Sequence, residues 1–378
     1  LEQLLGELDS RVTHAAQNAY DALGHTINLS SPKQLQVALF EELDMPKTRK
    51  TKTGYTTNAE ALEELYLKTA HPFLGYLLEH RDAIKLRQMV ETLRKTTRDD
   101  GRIHTVFQQT VTTTGRLSST EPNMQNIPAR SEEGMRIRGA FVPGEGYEAL
   151  MTADYSQIEM RIMAHLSKDQ GLIDAFASGE ALHRYVAALV HGIDPAAVPS
   201  PQRSQLKAMS YGLAYGLSTF GLSRQLGISR EEAASLRKAY FARFGGVQEY
   251  LTGVVKQART LGYTQTMAGR RRYLPGLNSD NYATREAAER AALNAPIQGT
   301  AADIIKQAML NVEAALREQG LASRILLQVH DELVLEIAPG EAQTVQQLVR
   351  QQMESAASLS VKLEVGVGLG KTWRDAAH

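Results

Sequence analysis

The sequence predicts an α+β fold, and three observations carry that expectation. Residues 149–154 form an apolar run of strand type, and after Asp154 the period changes, with Ile158, Ile162 and Leu166 at helical spacing. Residues 324–337 form two apolar runs joined by the polar turn His330-Asp331-Glu332. Between them, residues 168 to about 293 carry mostly helical spacing, so strands and helices are segregated along the chain.

At 378 residues the chain is too long for one simple core, and roughly two to three domains are expected. Lys plus Arg and Asp plus Glu balance at 42 each, so the global charge announces no nucleic-acid partner, although local fields can still be strong. Cysteine is absent, which excludes disulfides, thiolate zinc sites and cysteine nucleophiles and fits a reducing cytoplasm. No signal peptide is evident, and no apolar run approaches the ~18 residues of a membrane helix. The first residues are already periodic at Leu4, Leu5, Leu8 and Val12, as in a fragment of something longer.

Taken in order, residues 1 to about 44 are helical. One helix runs to about Leu23, and Ser31-Pro32 opens another as cap and first helical residue. Residues 46–54 then place Lys47, Arg49, Lys50 and Lys52 within six positions without an acid. Such a run is either a solvated loop or a flexible cationic tip for phosphate contacts of the sequence-independent, salt-sensitive kind. Helical spacing resumes from Asn58 to about Arg94, and Asp99-Asp100-Gly101 is a turn ahead of a strand at 103–110. Residues 114–128 have no period and two prolines, as in a packed loop.

Arg203, Lys207, Tyr211 and Tyr215 recur four apart, a stripe about 120° wide on one helix face. The plainer interpretation is an amphipathic helix with cations at its rim. Two cations and two aromatics on one face also suit a surface that grips a triphosphate and stacks on a base. The cluster Gly269–Tyr273 is a backbone contact or a solvated turn. Val361, Leu363, Val365 and Val367 alternate as a half-buried strand. It ends in Gly366-Val-Gly-Leu-Gly-Lys-Thr372, which approaches a phosphate-binding loop but fails it. The first required glycine would fall at Val365, and too few residues follow for the helix such a loop needs.

Asp154 alone is an ordinary helix-capping type, and Asp331 alone is an ordinary turn residue. Two carboxylates, each delivered by an apolar strand, can instead share a pair of divalent cations. Such a pair stabilises the attacking and the leaving oxygen of an in-line phosphoryl displacement. Mg²⁺ suits two carboxylates supplemented by phosphates and water.

Five blocks then carry a resemblance. Asp154-Tyr-Ser-Gln-Ile-Glu-Met-Arg161 resembles motif A of the family A DNA polymerases, the bacterial DNA polymerase I type; residues 203–216 resemble motif B and His330-Asp331-Glu332 motif C. Thr114–Pro128 and Glu289–Asp303 resemble the family's template-primer segments. The blocks stand in the family's order across almost the whole chain.

The resemblance implies a right-hand polymerase fold with an antiparallel palm sheet, helical fingers and a partial helical thumb. The thumb falls at 1–62, the palm at 63–167 and 294–378, and the fingers at 168–293. The implied reaction is template-directed addition of deoxynucleotides to a primer 3′-OH in replication and repair synthesis. Two Mg²⁺, for which Mn²⁺ can substitute, would be held by Asp154, Asp331 and the Tyr155 carbonyl, with Glu332 in support. Arg203, Lys207 and His183 would hold the triphosphate, with Lys207 also a proton donor to the leaving group. Gln157, Glu159, Tyr211 and Tyr215 would complete the nucleotide site, Glu159 as a steric gate against a 2′-hydroxyl. Primer-template DNA would be met by the cationic tip, Arg116, Asn123, Gln125, Asn126, Arg290, Asn294, Gln298 and His330. A monomer is expected, in the bacterial cytoplasm at the nucleoid, with neither proofreading nor 5′ nuclease activity. The sequence departs from the family's pattern at Gln108, Met135 and Ala181, none of them at the two metal acids. A metal-dependent phosphodiesterase could use the same acids, and a non-catalytic duplex-binding module the same basic clusters.

Overall fold

The computed structural model describes residues 1–129, 131–178, 194, 197, 207–213 and 216–377. Three of the expected site residues, His183, Arg203 and Tyr215, lie outside them. The chain forms two compact units, one of residues Leu1–Val106 and Glu121–Phe141, the other of Phe107–Thr120 and Val142–His378.

In the first unit, α1 (Glu2–Leu23) ends at Gly24 in a left-handed conformation, and α2 (Pro32–Val37) starts with Ser31 accepting from the Gln34 N–H. A short hairpin of β1 (Lys50–Thr51) and β2 (Gly54–Tyr55) follows, then α3 (Ala59–Thr69) and α4 (Pro72–Thr96). The single helical stretch expected over 58–94 is therefore two helices. Ala70 turns left-handed, and the residue before Pro72 is sterically excluded from helix. Leu35, Leu39, Leu62, Phe73, Leu74 and Leu77 make the core. α5 (Glu132–Arg138) is tied to α1 by ion pairs Arg11–Glu133 and Arg136–Glu7, each 2.6 Å.

The second unit opens within the ribbon of β3 (Val106–Gln108) and β4 (Ser118–Thr120), from Phe107 onward. Its centre is a four-stranded antiparallel sheet, ordered β10 (Val365–Gly370), β5 (Ala149–Tyr155), β9 (Glu332–Ile337), β8 (Arg324–Val329). The switch expected after Asp154 is real: β5 stops at Tyr155 and α6 (Ile158–Ser167) begins. The helices α7 (Gln170–Ala177), α8 (Thr219–Leu226), α9 (Arg230–Arg243) and α10 (Gly245–Leu261) follow. The basic cluster at 269–273 then supplies β7 (Arg271–Tyr273), paired with β6 (Tyr263–Gln265).

The 37-residue helix α11 (Tyr282–Glu318) continues through Pro296 and across position 293, and α12 (Ala342–Glu354) packs beside it. Met151, Ala153, Ile162, Ile297, Leu333, Leu335 and Val349 meet in one core. The last strand begins at Val365 rather than Val361. Val361 and Leu363 are buried, but the Lys362 carbonyl accepts from the Arg161 guanidinium instead of joining a ladder. Among the described residues no helix is long and apolar enough to cross a membrane.

Candidate active site

The sheet brings the expected acids together at one end. Asp154, next to last in β5, pairs in register with Glu332, the first residue of β9, and on its other side with Gly366 of β10. Asp331 occupies the turn just before β9, and its carbonyl accepts from the Tyr155 N–H at 3.2 Å. Both corners are conformationally strained: Gln157 has φ of 55° and His330 of 56°, values that cost a non-glycine residue energy. Strain of this kind persists only where surrounding structure fixes it, and here it frames the carboxylates.

Their electrostatics follow from crowding. Burial, then the charges of Asp331 and Glu332, push the Asp154 carboxyl up from 3.8 to about 7. Burial also raises Asp331, against the opposing charges of Arg116 and His330. Glu159 is raised by burial and by Asp331, while its 2.7 Å ion pair with Arg116 pulls the other way. Like carboxylates held this close favour protons or metal ions.

The corner itself is anchored by Arg161, which is only 4% exposed. Its guanidinium donates to the Ser156 carbonyl at 2.8 Å, to the Lys362 carbonyl, and to Glu364 at 2.6 Å, and it lies 4.6 Å over the Phe176 ring. Tyr155 is buried, with its hydroxyl donating to the Met353 carbonyl at 2.6 Å. Glu332 accepts from the indole N–H of Trp373 at 3.0 Å.

The donor set fits a hard divalent cation in one specific sense. Among the described residues no three His, Cys, Asp or Glu side chains converge as a preformed cage. Two carboxylates beside a backbone carbonyl match the sparse protein share of a Mg²⁺ site, where phosphates and water complete the shell. The raised proton affinity of Asp154 and Asp331 is the charge excess that such an ion would relieve.

The other expected residues divide by element. Lys207 and Tyr211 lie on a helical stretch over 207–213, Lys207 exposed and Tyr211 packed in part against the main core. Arg290, Asn294 and Gln298 lie four apart on α11. Arg290 is exposed and paired with Glu286 at 2.9 Å, whereas Asn294 Oδ1 is buried without a hydrogen-bond partner. Gln157 Oε1 is likewise buried and unpartnered. His330 is exposed at the turn.

Lys50 and Lys52 are exposed on the β1–β2 hairpin and Lys47 and Arg49 are exposed just before it, with Lys47 5.4 Å over the Tyr55 ring. Asn123, Gln125 and Asn126 stand at the 3₁₀ turn Met124–Asn126 of the first unit, where Asn123 Oδ1 caps the Gln125 N–H. Neither Arg161 nor Trp373 is marked out by its sequence context. Arg161 sits one turn into a helix, like any surface arginine, and Trp373 lies in a terminal stretch without period. The one available signal was that Trp373 is the sole tryptophan.

Comparison with known proteins adds to this geometry. The family model described as DNA polymerase family A matches residues 1–375. DNA polymerase I of Mycobacterium tuberculosis (strain ATCC 25618 / H37Rv) is 61% identical over 378 residues, all of this chain and 42% of the relative. DNA polymerase I of Geobacillus stearothermophilus is 45% identical over 378 residues, covering 43% of its length. The chain thus spans about two-fifths of these curated relatives. Among solved structures, the POL domain of Pol1 from M. smegmatis, in complex with DNA primer-template and dNTP, superposes with a TM-score of 0.96 at 61% identity. That match covers 100% of this chain and 66% of the other. Motifs, sheet topology and these matches agree: the chain belongs to DNA polymerase family A.

Proposed function

We propose that these residues carry out template-directed DNA synthesis, joining deoxynucleotides to a primer 3′-OH. The observation that carries this reading is the register itself, Asp154 opposite Glu332 with Asp331 in the adjoining turn, in a chain of this family. The structural neighbour in complex with primer-template and dNTP supports the same partners. In the reaction the 3′-oxygen forms a bond to the α-phosphorus, the bond from that phosphorus to pyrophosphate breaks, and the 3′-hydroxyl proton departs.

Asp154, Asp331 and the Tyr155 carbonyl would hold two divalent cations, Mg²⁺ or in its place Mn²⁺. The chemistry such ions supply when bound is charge stabilisation of the attacking and leaving oxygens. The chain's own groups do the rest. Glu332 supports the pair from the neighbouring strand. Lys207, with Arg203 and His183, holds the triphosphate and can return a proton to the leaving pyrophosphate. Glu159, fixed by Arg116, closes the space beside the sugar, with Gln157, Tyr211 and Tyr215 around sugar and base. Lys47, Arg49, Lys50 and Lys52 meet duplex phosphates. Arg116, Asn123, Gln125, Asn126, Arg290, Asn294, Gln298 and His330 address primer and template.

In this reading residues 1–62 are thumb, 63–167 and 294–378 palm, and 168–293 fingers. The molecule acts as a monomer at the nucleoid.

A primer-extension assay with Mg²⁺ tests it. Extension that Asp331→Ala abolishes, with duplex affinity retained, is the expected result. Degradation of the primer would point to a phosphodiesterase, binding without turnover to a duplex-binding module, and either would overturn the reading.

A further inference from the structure

The chain ends in a turn built against the acid-bearing strands. After β10 stops at Gly370, the Lys371 ammonium donates to the Glu148 carbonyl at 2.8 Å. The Asp375 N–H bonds Thr372 Oγ1, and the Ala376 N–H bonds the Thr372 carbonyl, each at 3.1 Å. The Ala376 carbonyl then accepts from Thr152 Oγ1 at 2.6 Å, inside the core and two residues before Asp154. The approach is so close that a Cβ at position 370 would stand 2.5 Å from the Ala376 nitrogen. At the apex of this turn, Trp373 is 1% exposed and donates its indole N–H to Glu332 Oε1 at 3.0 Å.

An indole N–H is a donor only, with one fixed direction set by a large ring. A buried tryptophan could satisfy it with any backbone carbonyl. Here it meets the one carboxylate that lies directly across the sheet from Asp154. The contact bridges 41 positions of sequence, so it exists only when the C-terminal turn is closed. Thr152 and Trp373 therefore clamp the same turn to β5 and to β9, the two strands that present the acids.

We propose that Trp373 is a positioning residue for the metal site, fixing the Glu332 carboxylate beside Asp154 and Asp331, and that the C-terminal turn is the element that holds it there. This inference rests on the two-metal reading and deepens it. Partners behind metal-site acids typically change metal affinity or activity by 10–100-fold.

The test uses the full chain with primer-template. Trp373→Phe keeps most of the ring and removes the donor. Expected are a fall in single-turnover rate of about tenfold and a several-fold rise in the Mg²⁺ concentration for half-maximal rate. Duplex affinity and dNTP KM should stay within about twofold. In a Glu332→Ala background the same substitution should have no further effect. An equal loss in both backgrounds, or an unchanged Mg²⁺ dependence, overturns the proposal.

A second readout needs neither a substitution at Trp373 nor turnover of the enzyme. Trp373 is the only tryptophan in the chain, so emission excited where indole absorbs and the tyrosines do not reports this site alone. With a dideoxy-terminated primer, Mn²⁺ should change that emission in the parent protein and fail to do so in Asp154→Asn. Glu332→Ala should shift the emission without metal. An emission indifferent to both Mn²⁺ and Glu332→Ala overturns the proposal. Normal extension by Asp154→Ala would instead remove the underlying metal reading, so the two failures are distinguishable.

Discussion

Asp154 should destabilise the metal-free protein at neutral pH, and replacing it by Asn should show by how much. Folding moves its carboxyl from 3.8 to about 7, first by burial and then by the charges of Asp331 and Glu332. A pKa raised in the folded state gives stability that is fully present below about pH 4 and is lost as pH rises through about 7. At 1.36 kcal/mol for each tenfold change in proton affinity, the full loss is about 4 kcal/mol. Asparagine has nearly the same shape and no proton to lose.

In EDTA at pH 8, Asp154→Asn should therefore be more stable than the parent by about 2–4 kcal/mol, the lower figure allowing for coupling among the three acids. The gain should shrink toward nothing near pH 4. Urea unfolding at pH 4, 5.5, 7 and 8 measures it. Adding Mg²⁺ at pH 8 should stabilise the parent and leave Asp154→Asn almost unchanged, because ligand binding adds stability only where the site exists. A substituted protein that is less stable than the parent at pH 8, or a difference independent of pH, would refute the crowding described at the sheet end.

Four further outcomes are expected. Changing Lys47, Arg49, Lys50 and Lys52 together to Ala should weaken duplex binding at every sequence alike and reduce the slope of log affinity against log salt by up to about 0.9 per lost contact; an unchanged slope would assign the hairpin to solvent. Arg161→Met strips donors from two carbonyls and Glu364, so a loss of about 3 kcal/mol in urea unfolding is expected, near the low end for buried pairs because Glu364 is 56% exposed. Shortening Glu159 to Ala should admit ribonucleotides, and Tyr211→Phe should reduce dideoxynucleotide use relative to deoxynucleotide use; equal incorporation ratios would remove both residues from the sugar site.

What the sequence disclosed and what it concealed differ in range. Asp154 was legible because a change of period is local, and β5 does give way to helix within four residues of it. The turn at His330–Asp331 was legible for the same reason, with apolar runs on both sides. Boundaries failed where side-chain burial and backbone pairing separate. Val361 and Leu363 alternate like a strand because they face the core, yet the backbone there serves Arg161. The backbone marks no boundary at 293, because α11 runs without a break from Tyr282 to Glu318 with Pro296 buried inside it. The Trp373–Glu332 and Thr152–Ala376 contacts join positions 41 and 224 apart, and no periodicity encodes such a pair.

The arrangement of charge separates the proposed reaction from simple duplex binding. A protein that merely holds DNA has reason to keep acids away from phosphates, since like charge costs affinity. Here three acids are concentrated at one sheet end, on strands whose backbones fix them. Arg116, the guanidinium whose charge reaches Asp331, is itself engaged by Glu159. Glu332 is met by an indole, a neutral donor, which orients the carboxylate and leaves its charge in place. Each of these choices preserves negative charge where a phosphate would be repelled. The divalent cations of the proposed reaction would answer that charge between carboxylates and phosphate. An even total of 42 acids and 42 bases is therefore uninformative about partners, because the acids that matter are gathered at one point while the exposed cations at 47–52 lie in the other unit.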